Sequence, residues 1–468
     1  MADVAVIGAG PNGLAAALTL ARAGLSVRLI ERNSQVGGAA RTLELGYPGA
    51  VHDVGSAVHP MALASPYFTE IGLRERVDFV VPALSFAHSL PGGRAALSWR
   101  ELDRTVAGLG AQGPGYRRLL GPIVERIDAT ADTLMHELLR IPRHPAALAV
   151  FGVRAAALMV PGPGTGESSA ALLAGLSAHA AGGGRGPAST GAGLFLGATA
   201  HAGGWPIPVG GSQAISNALA AMLVLAGGSI ELDTEVRHLA EVGERVVLFD
   251  TSPEALAEIA APVLPERYAR ALRSTRRPPG SCVVHYVLNA PVPWSVPELA
   301  DAGTIHLGGT ASMVRREERR VRTAISRAPY AIVSQPSRFD PSRAPAGQHV
   351  LWAYCHVPNA DPSDMGAIMT AQIEAVAPGF ADTVLHAEVV TAPGLQAQNP
   401  NLVGGDISGG ATDLLGMVRR PVLSADPWKT PAKGIYLASS STPPGPAVHG
   451  MNGHLAAKSA LRREFGIR

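Results

Sequence analysis

Three glycines near the start of the chain have the spacing that brings a pyrophosphate close to a backbone turn. Gly8, Gly10 and Gly13 fit the pattern G-x-G-x-x-G and directly follow a short apolar run. The first glycine allows a tight turn, the second lets a pyrophosphate approach the backbone, and the third lets a helix pack on a strand. We therefore predict that this turn, with Pro11 and Asn12 at its open positions, binds a dinucleotide.

The residues around this turn predict a strand–helix–strand unit. Apolar residues recur at helical spacing at Leu14, Ala17, Leu18 and Ala21. Gly24 is placed to end that helix in the left-handed conformation. A second apolar run ends at Glu31, 18 residues after Gly13, where a carboxylate can accept both ribose hydroxyls of an adenine nucleotide. A βαβ unit without a nucleotide is the alternative, but the terminal acid favours a dinucleotide held by Glu31 and Arg32.

A second glycine pair follows the second predicted strand. Residues 37–42 read GGAART and resemble the GG-R-x-x-T element of the amine oxidase and phytoene desaturase flavoproteins. The first fingerprint alone does not separate NAD from FAD, whereas this resemblance implies FAD, with Gly38 and Thr42 in its pyrophosphate and ribityl cradle. Ala39 stands where the element usually has Arg, and we expect Arg41 to supply that charge.

The end of the chain resembles the closing signature of the phytoene desaturase group. Residues 434–440 read as a strand, 442–453 contain T-P-P-G-P-A-V-H-G-M-N-G, and 455–465 read as a helix, with Ala447 where a glycine is usual. In that family the helix N-terminus points at the flavin pyrimidine edge, where reduced flavin carries negative charge. The resemblance implies that further FAD contacts come from Ser439, Val448 and Met451.

Two middle segments extend the resemblance. In the family, the segment comparable to 46–59 passes beside the isoalloxazine, which implies a contact between Ser56 and FAD. Val236 falls where the family packs an apolar residue over adenine. Asp53 in the first segment has a simpler reading, because an acid at a strand end commonly accepts hydrogen bonds from backbone N–H groups.

Three residues are candidates for proton chemistry: His59, His449 and Tyr354. A lone histidine is more often a structural donor than an acid or base, so the assignment rests on closeness to the expected flavin site. Tyr354 lies on a predicted strand at 350–357, and the sequence does not say which face of that strand looks inward.

The predicted fold class is α/β (α+β overall), with a Rossmann-like FAD-binding domain of the glutathione-reductase/amine-oxidase type. That domain is expected to be discontinuous, built from residues 1–75, 203–275 and 400–468. Residues 76–202 show helical pattern without alternating strands and are predicted to form a helical cap. Residues 276–399 change to strands and are predicted to form a mixed-sheet substrate domain.

Composition narrows the class of protein. The net charge of +2 gives no footprint for nucleic acid, and two cysteines exclude a disulfide framework and cysteine-rich metal sites, so no metal is predicted. The first strand begins by residue 4, leaving no room for a signal peptide, so we expect a cytoplasmic protein. The most apolar segments, 146–160 and 191–204, are shorter than the ~20 residues of a membrane span. A peripheral membrane contact stays open, because flavoproteins of this group often draw apolar substrates from a bilayer.

The motifs together resemble the phytoene desaturase, carotenoid isomerase and retinol saturase branch of the FAD-dependent amine oxidase superfamily. This implies hydride transfer between a carbon of an apolar small molecule and flavin N5. A flavin amine or amino-acid oxidase using oxygen is the alternative, although an aromatic content of 5% gives no clear cage for an ammonium. A third reading is an FAD-bound interaction protein without turnover. The electron acceptor, with oxygen and a quinone both open, the direction of the reaction and the oligomeric state are not determined.

Overall fold

Two large β-sheets organise the fold, one parallel and one mixed. The computed structural model describes residues 2–137, 139–159, 166–181 and 186–467. The strands are β1 (Val4–Ile7), β2 (Val27–Ile30), β3 (Thr42–Glu44), β4 (Val51–Asp53), β5 (Phe79–Val80), β6 (Leu84–Leu90), β7 (Arg94–Trp99), β8 (Ile207–Pro208), β9 (Ser229–Glu231), β10 (Val246–Phe249), β11 (Gly280–Leu288), β12 (Ala302–Leu307), β13 (Ala331–Ser334), β14 (His349–Val357), β15 (Val384–Val390) and β16 (Ile435–Leu437).

Helices cover both sheets. They are α1 (Pro11–Arg22), α2 (Pro60–Leu63), α3 (Pro66–Glu70), α4 (Leu102–Gly108), α5 (Gly113–Val124), α6 (Ile127–Leu134), α7 (Pro145–Met159), α8 (Glu167–Ala178), α9 (Pro187–Ala202), α10 (Gln213–Leu225), α11 (Pro253–Ile259), α12 (Glu266–Arg273), α13 (Ala311–Arg320), α14 (Pro336–Phe339), α15 (Gly366–Glu374), α16 (Phe380–Thr383), α17 (Ala392–Gln398), α18 (Leu414–Val418) and α19 (Met451–Ala460). A π-helical turn, Leu461–Phe465, continues α19.

The parallel sheet has the strand order β16-β10-β1-β2-β9 and takes its strands from both ends and the middle of the chain. All four residues of β1 and of β10 are buried, as expected for strands covered by helices on both faces. Gly24 has a φ of +88° just after α1, as the sequence predicted. This sheet confirms the Rossmann-like fold class.

Helices α1 and α19 bring the two ends of the chain into backbone contact. A Cβ atom added to Gly453 would lie 1.7 Å from the carbonyl oxygen of Asn12, so no side chain fits between the two helices. The closing segment therefore packs directly on the opening one, and the N-termini of both helices lie at the same side of the sheet.

The mixed sheet has the strand order β15-β11-β14-β13-β12-β6-β7. Strands β5, β6 and β7 lie inside 76–202, so the prediction of a mainly helical cap missed these strands. All seven residues of β6 are buried, so it shows no alternation of apolar and polar residues. The remainder of 76–202 is largely helical, and its residues 138, 160–165 and 182–185 lie outside the described part.

The structure decides which face of the mixed sheet looks inward. Val283 pairs with Tyr354, and His285 pairs with Trp352, so these four side chains share one face. The opposite face carries Cys282, Val284, Ala353 and Cys355 in a separate apolar core. The face with Trp352 and Tyr354 therefore turns toward the parallel sheet.

The contact between α1 and α19 predicts that Gly453→Ala destabilises the fold. The added methyl group must displace the Asn12 carbonyl, and overpacking of this kind costs about 2 kcal/mol. The free energy of unfolding, measured by denaturant titration, should fall by that amount.

Gly152→Ala in α7 is the matched control, because a Cβ atom there meets nothing within 4 Å. It should leave stability equal to or slightly above the wild type, since alanine favours a helix over glycine by about 1 kcal/mol. Equal stability of Gly453→Ala and Gly152→Ala would contradict the backbone contact.

Candidate active site

A cavity of about 830 Å³ opens at the carboxyl ends of the parallel strands. Three residues that directly follow these strands line the cavity: Gly8 after β1, Glu31 after β2 and Asp250 after β10. Ser440, three residues after the end of β16, lines it as well. The mixed sheet covers the cavity through Val283, Ile332, Trp352 and Tyr354. The carboxyl edge of an open parallel sheet is the usual place for a ligand.

Most of the predicted site residues meet at this cavity. Those that line it are Gly8, Gly10, Pro11, Asn12, Glu31, Arg32, Gly38, Ala39, Arg41, Ser56, His59, Val236, Tyr354, Ser439, Val448 and His449. Three others do not line it: Gly13, Thr42 and Met451.

Each of these three has a structural contact instead. A Cβ atom on Gly13 would lie 1.9 Å from the Gly8 carbonyl oxygen, so this glycine serves the packing of α1 on the turn. The Thr42 hydroxyl donates to Asp53 Oδ1 at 2.7 Å. The Met451 N–H donates to His449 Nδ1 at 3.1 Å.

The glycine turn fits a pyrophosphate because side chains are excluded from it. A Cβ atom on Gly10 would lie 2.5 Å from Asp250 Oδ2. Gly38 has a φ of +55°, and its Cβ atom would lie 3.1 Å from the Gly10 Cα atom. The two glycine segments therefore meet as bare backbone, and this surface with the N-terminus of α1 would hold the phosphates of FAD.

Glu31 holds the turn from the neighbouring strand. Its Oε2 accepts from the Ala9 N–H at 2.8 Å, and its Oε1 accepts from the Asn33 N–H at 2.9 Å. The side chain is buried, yet it lines the cavity. Oε1 also accepts from Asn33 Nδ2, and a carboxylate has about four acceptor positions, so about one position remains to receive a ribose hydroxyl.

Arg41 brings a positive charge to the same end of the cavity. Its Nε donates to the Gly38 carbonyl at 2.9 Å, and its Nη2 donates to the Gln398 carbonyl at 3.1 Å. Burial lowers the pKa of the guanidinium, but an arginine stays charged. Ala39 occupies the position where the element usually has an arginine. That Arg41 supplies the missing charge to FAD stays a prediction.

His59 is fixed in one tautomer. The Ser212 hydroxyl donates to the Ser56 carbonyl at 2.6 Å, so His59 Nε2, 2.6 Å from the same hydroxyl, must carry the proton. Nδ1 is then the acceptor of the ring. Burial lowers the pKa of His59 to about 4, which leaves it neutral at pH 7.

Asp53 has a structural role. It is fully buried, its Oδ2 pairs with Arg343 Nη2 at 2.6 Å, and its Oδ1 accepts from the Ser212 N–H at 2.8 Å. Burial alone would raise the pKa of this carboxyl, but Arg343 and the hydrogen bonds outweigh it and hold the pKa below its usual value. The simpler reading of Asp53 is confirmed.

Ser212 directly precedes α10 but does not cap the helix with its side chain. Its hydroxyl makes no capping bond, because the Ser56 carbonyl and His59 occupy it. Thr42 Oγ1 accepts from the Gln213 N–H instead, at 3.1 Å.

His449 presents its two ring nitrogens differently. Nδ1 accepts from the Met451 N–H, so Nε2 carries the proton, and Nε2 has no partner among the described residues. Burial lowers the pKa of His449 to about 4, so the ring is neutral at pH 7. As long as the Met451 bond holds, this histidine is a donor and not a base.

Tyr354 and Trp352 form an aromatic pair on the cavity wall. Their ring centroids are 5.1 Å apart and the planes are tilted by 53°. Burial raises the pKa of the Tyr354 phenol, so the hydroxyl stays protonated. A site built from two neighbouring rings was not expected from the aromatic content.

Asp250 and His179 line the cavity, but neither was named as a site residue from the sequence. Asp250 had a usable signal, because it directly follows the fully buried strand β10. His179 had none: it is a single histidine after α8, and its Nε2 lies 3.1 Å from Nε2 of His306 on β12. That pairing depends on the packing of α8 over the mixed sheet.

The described residues contain no group of three or more His, Cys, Asp or Glu side chains suited to a metal ion. Within the same residues, every helix is too short or too polar to span a lipid bilayer.

The family model for the flavin containing amine oxidoreductases matches residues 12–450, and the chain belongs to this family. Phytoene dehydrogenase of Streptomyces griseus is 29% identical over 392 residues, covering 76% of this chain and 73% of the relative. The mouse pyridine nucleotide-disulfide oxidoreductase domain-containing protein 2 is 27% identical over 300 residues, covering 56% of this chain and 52% of the relative.

Solved structures share the fold over the whole chain. Cyclohexylamine oxidase from Brevibacterium oxydans has a TM-score of 0.61 at 15% identity, with 99% of both chains covered. Putrescine oxidase bound to putrescine has a TM-score of 0.59 at 19% identity, also with 99% of both chains covered. The family match and the glycine cradle agree that the chain is an oxidoreductase whose cofactor is FAD.

The position of Glu31 predicts that Glu31→Ala weakens FAD binding. A hydrogen bond to a charged group contributes about 1.5–3 kcal/mol, so the Kd for FAD should rise roughly tenfold to a hundredfold. Fluorescence titration of the apoprotein measures it.

Glu31→Gln keeps one carbonyl acceptor and should give an intermediate loss. Glu298→Ala removes an exposed carboxylate outside the cavity and should bind FAD as the wild type does. Unchanged FAD affinity in a folded Glu31→Ala protein would mean that the carboxylate does not contact the ribose.

Proposed function

We propose that this flavin-dependent oxidoreductase transfers hydride between a carbon of an apolar, uncharged substrate and flavin N5. The substrate class is polyene, isoprenoid or lipid-like, and the reaction is that of a desaturase or dehydrogenase, or of a related saturase or isomerase. The observation that carries the proposal is where charge lies along the cavity wall.

Among the described residues, the charged side chains that line the cavity are Glu31, Arg32, Arg41, Glu235 and Asp250. Four of them cluster at the nucleotide end: Glu31 and Asp250 flank the glycine turn, and Arg32 lies 3.8 Å from Glu235. Arg41 bonds the second glycine segment. FAD would use this end of the cavity, and no other described residue brings a formal charge to the substrate end.

The walls toward the cap are apolar. They include the apolar side chains of Met61, Leu134, Met135, Leu148, Phe151, Phe195 and Leu196, together with His179, whose pKa burial lowers to about 3. A buried ammonium or carboxylate without a partner is strongly disfavoured in such surroundings. The lining therefore favours a neutral hydrocarbon-like substrate over a charged amino acid.

FAD supplies the redox chemistry of such a reaction, and the chain's own residues supply orientation and exclusion of water. Trp352 and Tyr354 present ring surface to a substrate, and His59 Nδ1 offers an acceptor. Because burial keeps His59 and His449 neutral, neither is set up as a strong base near pH 7. Loss of a substrate proton then does not require a charged side chain.

The 29% identical relative from Streptomyces griseus, a phytoene dehydrogenase, supports this reading. The electron acceptor is proposed to be oxygen or a quinone. The FAD cradle and the apolar part of the cavity under the cap together argue against a protein that binds FAD only in order to interact with another molecule.

An amine oxidase reaction is the second candidate, and one observation favours it. Trp352 and Tyr354 lie side by side on the cavity wall, and two rings can receive an amine through their faces. It ranks second because no carboxylate of the described residues lines the substrate end, where a protonated amine would need one.

We also propose that α7 makes a peripheral contact with a membrane. This helix of 15 residues carries one charge, Arg154, and only Ala147 and Phe151 in it are buried. Leu148 is 40% exposed and also lines the cavity. The exposed apolar surface of α7 is therefore continuous with the apolar wall of the cavity. An apolar substrate could pass from lipid into the cavity along this surface.

Substrate screening by anaerobic flavin bleaching tests the proposed reaction. The purified protein should be yellow, and polyene or lipid compounds should bleach the flavin absorbance because they match the apolar part of the cavity under the cap. A panel of simple amines of similar size is the control. Rapid bleaching by amines, with none by polyenes, would replace the proposal by the amine oxidase reading.

Val153→Asp tests the membrane contact. Val153 is 67% exposed on α7, and an aspartate there should abolish cosedimentation with phosphatidylglycerol vesicles while FAD content stays unchanged. Val224→Asp, at a 56% exposed position on α10, is the matched control and should bind vesicles as the wild type does. Wild-type protein that stays in the supernatant would refute the contact.

A further inference from the structure

Asp250 lies against the glycine turn, at the point where phosphates are expected. Its Oδ2 accepts from the Gly13 N–H at 2.8 Å, and its backbone N–H donates to the Ile7 carbonyl at 2.8 Å. A Cβ atom on Gly8 would lie 2.7 Å from the Asp250 carbonyl oxygen. The position of the carboxyl group is thus set by backbone contacts on both sides, and the residue is about nine-tenths buried while lining the cavity.

The surroundings of this carboxyl group contain no neutralising partner. From β2 it faces Glu31, which has the same charge. From the loop after α17 it faces the neutral Asn401, whose Nδ2 donates to the Asp250 carbonyl at 3.4 Å. Within the described residues, no basic side chain bonds to its carboxylate, whose hydrogen bonds come from backbone N–H groups of the glycine turn.

Burial is the main cause that raises the pKa of Asp250, to about 7, and Glu31 adds to it. The hydrogen bonds from the backbone of Gly13 and Gly10 act in the opposite direction. The carboxyl group is therefore close to half protonated near neutral pH, before any anion is placed beside it.

We propose that Asp250 is an FAD-binding residue that acts in its protonated form. Oδ2 keeps the bond from the Gly13 N–H, and the Oδ1 hydroxyl donates to a phosphate oxygen of the pyrophosphate. An ionised carboxylate would instead oppose the phosphates at the same helix N-terminus, where both compete for one positive dipole end. The protonated form removes the repulsion and supplies a donor.

This arrangement couples FAD binding to proton uptake. Above the pKa of the free carboxyl group, each FAD that binds must take up about one proton, so the affinity falls as pH rises. Histidines of the cavity do not contribute near neutral pH, because burial lowers the pKa of His59 and His449 to about 4 and that of His179 to about 3. The arginines of the nucleotide end remain charged throughout.

The test is FAD binding to the full-length apoprotein between about pH 6 and pH 8.5, where the unperturbed carboxyl groups are ionised. For the wild type, the Kd should rise by about tenfold per pH unit once pH exceeds about 7.5. Calorimetry in two buffers of different ionisation enthalpy should show uptake of about one proton per FAD at the upper end.

Asp250→Asn is the informative variant, because its amide copies the protonated carboxyl group. It can accept from Gly13 and donate to the phosphate, so it should bind FAD tightly and without the pH dependence. Asp382→Asn, at an exposed position on α16, is the matched control and should keep the wild-type pH dependence.

Two results would overturn the proposal. One is a wild-type Kd that does not change across this range, with no proton uptake. The other is an Asp250→Asn protein that retains the wild-type pH dependence. Should this variant fail to fold, wild-type calorimetry alone decides. Absence of FAD binding at every pH would instead contradict the cofactor itself.

Discussion

Backbone contact between the two ends of the chain is the constraint on which the site depends. Gly13 touches the Gly8 carbonyl, and Gly453 touches the Asn12 carbonyl, at distances that leave no space for a methyl group. These contacts fix the N-terminus of α1 relative to the start of α19. One cofactor can then meet the positive ends of two helix dipoles, one at its pyrophosphate and one at its ring system.

A second principle of this site is the separation of charge along the cavity. The acidic and basic side chains gather around the glycine turn, where a dinucleotide brings its own charge. Apolar side chains line the part of the cavity under the cap. Burial enforces the separation, because it holds the histidines of the wall in their neutral forms. The proposal of a substrate without charge rests on this separation.

The buried pair of Asp53 and Arg343 joins the two halves of the molecule. Asp53 is the last residue of β4, and Arg343 comes from the segment before β14 of the mixed sheet. Removing one member of such a pair is costly, because the other charge stays buried without a partner. The pair thus holds the mixed sheet over the cavity and also anchors the start of α10 through the Ser212 N–H.

The sequence alone determined the parts of the protein that depend on local patterns. The glycine turn, the buried runs of β1 and β2, and the closing signature were readable because steric needs at Gly8 or Gly24 and the spacing of apolar residues are local properties. Only the tertiary structure decided what depends on distant contacts. Burial on both faces hid β6, strand pairing chose the inward face of Tyr354, and the meeting of β10 with the first turn placed Asp250 beside Gly13. Such contacts join residues far apart in the chain, and no short stretch of sequence records which of them will meet.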